Sequence, residues 1–261
     1  MIIRMFGSLG DEIALTGLVR EYRKQYPDET LIVTNKFPEI FTNNPHLGIR
    51  KNNNHKEVYI PTSPFLNIGN YTYAYGKYLG IKIYDSSPEI FLSNEELEMF
   101  PGNQNIIAID TWAGWPSRRW DFNNFVELVE RIKEYDPKVQ IVEVGKTVPD
   151  CTGQVRNKRL LDAHIIYLDV LSLRQTAALL RSCKLFIGND SGLSHLAAAV
   201  GTNQITIYSV PWYDRSYRTT YPVFNLKRNC EKCESICPKG TSCINEITPS
   251  DIIEVLKTVE D

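Results

Sequence analysis

No stretch of the chain reaches the roughly 20 consecutive apolar residues that cross a bilayer. The N-terminus, MIIRMFGSLGDE, lacks the apolar run of a signal peptide. A cytoplasmic protein is expected, with peripheral contact at the inner membrane left open, because a small basic or apolar patch leaves no such trace. Charge of one sign is also missing. Lys and Arg number 29 against 31 Asp and Glu, a net charge of −2. Nothing therefore suggests a duplex nucleic-acid binder that runs on phosphate neutralisation, and no nucleic-acid partner is expected. Internal repeats and low-complexity segments are absent, and GxGxxG does not occur. What remains is ordinary: 43% hydrophobic and 23% charged residues over 261 positions, enough for one large domain or two of usual size.

Cysteine is scarce except in one place. Cys151 and Cys183 stand alone and read as buried thiols. Cys230, Cys233, Cys237 and Cys243 crowd into CEKCESICPKGTSC, a C-x2-C-x3-C-x5-C spacing. In a reducing compartment such crowding favours a tetrahedral metal site over disulfides. Four thiolates suit structural zinc or iron and leave no open coordination position for chemistry. The spacing departs from the C-x2-C-x2-C run of ferredoxins, which disfavours a [4Fe–4S] cluster.

Hydrophobic patterning alternates strand and helix twice. Residues 1–6, 30–33, 58–60 and 89–92 read as strands, with helices over 13–26 and 67–79. PGNQN at 101–105 is the best linker. Beyond it, strands are expected at 106–109, 140–144, 165–168, 185–187 and 205–208. Helices are expected at 122–135, 172–182 and 193–200, and in a last segment that Thr248 caps with Pro249 at its first position. The chain therefore reads as α/β, with two units facing a cleft: residues 1–100 and residues 101–261. The final helix, 249–261, is expected to pack back on the first unit.

Three strand-to-helix loops carry candidate chemistry. In KLFIGNDSGLSHLAAAVGT a buried strand ends in Gly188, Asn189, Asp190, Ser191 and Gly192, and a helix follows. A helix mouth offers unpaired N–H groups and a positive dipole end, so Ser191, Gly192 and Leu193 could hold an anion, with His195 beside it. The ordinary alternative is that Asp190 or Ser191 caps the helix and His195 is a satisfied half-buried side chain. In FGSLGDE, Asp11 sits in the first strand-to-helix turn and is either a cap or a general base. In DTWAGWPSRRW, Arg118 and Arg119 precede a helix among Trp112, Trp115 and Trp120, three of the chain's 4 tryptophans. An arginine fork there suits a pyrophosphate; the alternative is a solvated basic pair with tryptophans packing an interface.

GSLGDEIALTGLVREYRKQYPDETLIV, WPSRRWDFNNFVELVERI and GNDSGLSHLAAAVGTNQITIYSV together resemble the bacterial heptosyltransferases, glycosyltransferase family 9. The four-cysteine segment resembles the metal-binding motif of heptosyltransferases that modify autotransporter adhesins. The resemblance implies a GT-B fold, two Rossmann-like domains with the donor bound mainly by the second, and an N-terminal domain shorter than usual. It implies an inverting transferase moving heptose or a similar sugar from a nucleotide-diphosphate sugar to a glycan, lipopolysaccharide core or protein hydroxyl. ADP-heptose is the favoured donor, with GDP- and UDP-sugars open. By position, Asp11 matches the catalytic base. Asp190, Ser191, Gly192, Leu193 and His195 match the D-[TS]-G-x-x-H block that holds the nucleotide. Arg118 falls where a phosphate-binding lysine is usual, Thr111 shares its loop, and Glu143 or Lys146 lies near the loop of the ribose-binding glutamate. No catalytic metal is expected. A GT-B epimerase or hydrolase, or a non-catalytic sugar-nucleotide-binding module, would share much of this pattern.

Overall fold

A computed structural model describes residues 1–48, 57–61, 70–101, 104–209, 217–225, 234–237 and 243–260. The first half is built from β1 (Ile2–Arg4), α1 (Leu9–Gln25), β2 (Ile32–Thr34), β3 (Glu57–Tyr59), α2 (Tyr71–Leu79) and the short α3 (Asn94–Glu98). Its strands form a parallel sheet in the order β2-β1-β3. Parallel neighbours need a crossover, and α1 supplies the one between β1 and β2. The helix begins earlier than its apolar spacing suggested. Ser8 is its N-cap, and both the backbone N–H and the hydroxyl of Ser8 donate to Asp11 Oδ2 at 2.7 Å. Asp11 therefore sits inside the first turn.

The second half contains β4 (Gln104–Asp110), α4 (Phe122–Tyr135), β5 (Gln140–Gly145), β6 (Ile165–Leu168), α5 (Leu173–Ser182), β7 (Cys183–Asn189), α6 (Gly192–Ala199), β8 (Gln204–Tyr208), β9 (Thr220–Phe224) and α7 (Pro249–Glu260). The six strands form one parallel sheet in the order β6-β5-β4-β7-β8-β9. The strand and helix patterns thus give the α/β architecture with two parallel sheets that the GT-B reading requires.

Side chains on a strand alternate between faces, and β4 shows the consequence. Ile106 and Ala108 join a core that includes Leu196 of α6, Leu180 of α5 and, across the halves, Leu15 and Leu18 of α1. Ile107 and Ile109 join the opposite core, with Phe125 and Val129 of α4 and Ile252 and Leu256 of α7. Both faces of the central strands are covered, which explains their unbroken apolar runs.

Two expectations are corrected, and one strand is new. Among the described residues the final helix packs within the second half: α7 lies on α4, β8 and β9, where Ile252 and Leu256 complete the far face of the second sheet. Residues 89–92 form no strand; the Ile90 N–H donates to the Ala199 carbonyl at the end of α6, so its backbone is spent on a helix end. Strand β9 was not foreseen; its Pro222 is tolerated because β9 lies on the sheet edge. The second helix begins at Tyr71 behind an Asn70 cap, whose Oδ1 accepts from the Thr72 N–H at 2.9 Å; residues 67–69 lie outside the described residues. Among the described residues no helix is long and apolar enough to cross a membrane.

Phe125 is fully buried and meets Trp120 edge-on at 4.9 Å. Phe125→Ala is expected to cost about 3–5 kcal/mol of stability through the cavity it leaves. Urea unfolding reads this directly, and a loss under ~1 kcal/mol would show that the site collapses around the truncation.

Candidate active site at two facing switch points

In an open parallel sheet, ligands bind beyond the carboxyl ends of strands where the strand order reverses direction. In the second sheet that point falls between β4 and β7. The loops leaving them carry Asp110 to Arg119 and Asp190 to His195. In the first sheet it falls at β1, whose loop carries Gly7 to Asp11. The fold brings these loops together. A Cβ on Gly10 would lie 2.6 Å from His195 Cδ2, and one on Gly192 would lie 2.9 Å from Leu9 Cδ2. The first turns of α1 and α6 are therefore in contact, with no room for a side chain at Gly10 and a tight fit against Leu9 at Gly192.

Around that contact the candidates separate into groups. Asp190 pairs with Arg118 at 3.1 Å, and the Arg118 guanidinium lies 4.2 Å over the Trp115 ring. Ser191, Gly192 and Leu193 are half-buried at the mouth of α6. Ser191 is the N-cap: its Oγ accepts from the Leu193 N–H at 3.3 Å, and its own N–H donates to Ser194 Oγ at 3.4 Å. Both bonds are long. His195 is buried, its Nδ1 2.7 Å from Tyr217 Oη, with Tyr71 at 5.9 Å between ring centroids. Asp11 is buried, with Oδ2 held by Ser8 and Oδ1 facing the Tyr75 hydroxyl at 3.5 Å. Burial and the neighbouring charges and phenols, Asp11 among them, hold the phenols of Tyr75 and Tyr217 well above 10.

Thr111 points inward. Its hydroxyl accepts from Arg156 Nη2 at 2.8 Å, and Arg156 also reaches Asp110 and Glu143. Glu143 is fully buried and accepts from the Leu160 N–H as well, so it braces the interior behind the site. Lys146 is exposed. Arg119 is also structural: it stacks 3.4 Å from the Trp112 centroid, donates to the Ala113 carbonyl and pairs with Asp150. Two tryptophans thus carry guanidiniums on their faces, while Trp120 is core, its Nε1 donating to the Ile247 carbonyl at 2.8 Å.

Four residues with a part here escaped the sequence reading. Arg156, Tyr71, Tyr75 and Tyr217 carry no motif; only the tyrosine-rich pattern of 70–79 hinted at the aromatic wall. Glu12, next to Asp11, is a buried carboxylate that accepts from Asn35 Nδ2 and the N–H groups of Lys36 and Phe37, which ties the end of β2 to α1.

Cys230 and Cys233 lie outside the described residues. Cys237 is half-buried, and Cys243 is buried with Sγ 3.4 Å from the Ser209 carbonyl. Among the described residues no three His, Cys, Asp or Glu side chains gather to hold a metal. The cysteine segment does touch the site's frame: the Ser117 N–H donates to the Ser235 carbonyl at 3.2 Å, and the Ser117 hydroxyl to the Glu234 carbonyl. A groove of about 440 Å³ opens at the opposite end of α6, bordered by Ile90, Leu97, Ala199 and Tyr217. The titratable groups converge at the other end, where the switch points meet.

The sequence profile of glycosyltransferase family 9 (heptosyltransferase) matches residues 61–239. The chain belongs to glycosyltransferase family 9. Lipopolysaccharide heptosyltransferase 1 of Campylobacter coli is 27% identical over 128 residues, 48% of this chain. That match spans only 33% of the relative's length. Among solved structures, the iron-containing dodecameric glycosyltransferase TibC of enterotoxigenic E. coli superposes with a TM-score of 0.77 at 17% identity, covering 99% of this chain and 76% of that one. ADP-heptose lps heptosyltransferase II of E. coli gives a TM-score of 0.66 at 15% identity, covering 99% and 98%. At such identities the likeness establishes the fold of this family-9 chain, which is GT-B.

Burial pushes the Asp110 carboxyl up to about 6, against the pull of Arg156. An acid whose folded value exceeds its unfolded value, near 4, stabilises below the unfolded value and loses that contribution as pH rises through the folded one. Wild type is therefore expected to lose stability relative to Asp110→Asn between about pH 4 and pH 6. A stability difference that stays constant across this window would show that Asp110 titrates as an exposed carboxylate does.

Proposed function

We propose that this family-9 chain is an inverting glycosyltransferase that moves a sugar from a nucleotide-diphosphate donor to a hydroxyl acceptor. The observation that carries the proposal is the contact of Gly10 with His195, which sets the first turn of α1, where Asp11 lies, against the first turn of α6. In this reading residues 1–100 hold the acceptor and residues 101–261 the donor. The relatives' names favour ADP-heptose over GDP- and UDP-sugars as the donor, and lipopolysaccharide over another glycan or a protein hydroxyl as the acceptor.

Each residue has a task under this reading. Ser8 holds one oxygen of Asp11, leaving Oδ1 to take the acceptor's proton as its oxygen attacks the anomeric carbon. The nucleoside diphosphate departs from the opposite face. Its growing charge is met by the N–H groups of Ser191, Gly192 and Leu193, whose long cap bonds a phosphate oxygen displaces, and by Arg118. Asp190 holds the Arg118 fork in place until the phosphate arrives, and His195 donates from the wall. Thr111 contributes indirectly, through the Arg156 network that supports Asp110 and the Ser191 hydroxyl, 3.3 Å apart. The aromatic wall keeps water from the donor.

The four cysteines suit a structural zinc or iron ion, Cys230, Cys233, Cys237 and Cys243 supplying soft thiolate ligands. Such an ion would stiffen the segment hydrogen-bonded to Ser117 and so the turn that presents Arg118. Removing it with a chelator is expected to lower the melting temperature and weaken ADP binding together. Protein purified without chelator and carrying well under one ion per chain would overturn the metal assignment.

The deciding assay incubates the protein with ADP-, GDP- and UDP-sugars and measures nucleoside diphosphate release with and without acceptor. Release that depends on acceptor supports transfer; release or isomerisation without one points to a hydrolase or epimerase; binding without release points to a non-catalytic module. Asp11→Asn is expected to cut turnover by about 10²–10⁴-fold with donor affinity retained. Arg118→Ala is expected to weaken ADP binding about tenfold or more, read by calorimetry. Turnover in the Asp11 variant equal to wild type would remove that residue from the chemistry.

A further inference from the structure

The two ring nitrogens of His195 have different surroundings. Nδ1 lies 2.7 Å from Tyr217 Oη. Tyr217 is buried, and among the described residues His195 Nδ1 is the one hydrogen-bond partner of its hydroxyl. A buried O–H with a single partner gives its proton to that partner, because the reverse arrangement leaves the hydrogen with no acceptor. Nδ1 is then the acceptor, and a neutral imidazole that accepts at Nδ1 carries its hydrogen on Nε2. Burial, neighbouring phenols and the carboxylates of Asp190 and Asp11 keep the Tyr217 hydroxyl protonated. The Nε2 edge borders the first turn of α1: a Cβ on Gly10 would lie 3.0 Å from Nε2. The ring cannot tilt freely, since Tyr217 crosses it edge-on with centroids 5.5 Å apart and Tyr71 covers it at 5.9 Å.

We propose that Tyr217 is a positioning residue: it fixes His195 as the Nε2–H tautomer, a neutral donor aimed along the seam between α1 and α6 toward a diphosphate oxygen. Only the identity of the anion rests on the glycosyl-transfer reading. A neutral donor suits a site that already pairs Arg118 with Asp190, because it adds a directed hydrogen bond without another buried charge to desolvate. It also accounts for glycine at position 10, where any side chain would collide with the imidazole.

The test reads the tautomer in ligand-free protein by ¹⁵N-resolved NMR of the imidazoles, with the His195 signal among the 4 histidines assigned from His195→Gln. Wild type is expected to show Nε2 protonated and Nδ1 bare. Tyr217→Phe, which removes one oxygen, is expected to give a mixture of tautomers and to weaken ADP binding three- to tenfold. The double variant should bind ADP no more weakly than His195→Gln alone, since Tyr217 acts through the ring. A wild-type ring protonated on Nδ1, an unchanged tautomer in Tyr217→Phe, or additive losses in the double variant would each overturn the proposal. An intact tautomer in a protein that transfers no sugar would refute the transferase reading while leaving this one standing.

Discussion

The structure turns on the contact between two helix beginnings. The first turn of α1 presses on the first turn of α6, through Gly10 against His195 and Leu9 against Gly192. Each helix mouth carries partly unsatisfied N–H groups and the positive end of a dipole. Bringing two such ends together is unfavourable unless negative charge lies between or beside them. Asp11 and Asp190 supply it, one in each loop, and each is held by a neighbour, Ser8 or Arg118. The site is therefore an electrostatic consequence of the packing.

That contact needs rigid support on both sides. In the first half Glu12 anchors the end of β2 to α1 with three donors on its buried carboxylate. In the second half Arg156 joins Asp110, Thr111 and Glu143 behind the loop that bears Arg118. Across the halves Arg174 of α5 pairs with Glu96 of α3 and donates to the carbonyls of Glu39 and Phe91. The buried charges among these, Glu12 and the Arg156 cluster, are tolerated because Glu12 is hydrogen-bonded and Arg156 is paired; removing one partner would strand the other at considerable cost. Their work is to hold two loops in register.

Periodicity made most of the second half legible. The helix over 122–135 and the strand over 165–168 match their apolar patterns residue for residue, and Ser172 caps its helix as the capping-box spacing implied. The first half was harder. The start of α1 was hidden because Gly7 and Gly10 resemble a turn, whereas Gly10 is helical and small for the sake of a ring some 185 positions away. Of the site, the D-S-G-x-x-H block and Arg118 carried recognisable local signals. The bond from Arg156 to the Thr111 hydroxyl was not foreseen, since nothing local reveals it. Tyr217 and Tyr75 were missed for the same reason: a buried phenol is chosen by what it meets across the fold.

What the sequence determined by itself was local: the alternation of strands and helices, the caps, the small residues at the helix mouths and the clustering of cysteines. These follow from backbone sterics and from hydrogen bonds spanning a few residues. Tertiary structure alone decided which carboxylate faces the seam and which anchors a strand, since Asp11 and Glu12 are neighbours with opposite fates. It also decided which arginine reaches the site, and that α7 closes the second core. Those outcomes depend on contacts between residues far apart in the chain, where hydrophobic burial sets the geometry and the polar groups must find partners within it.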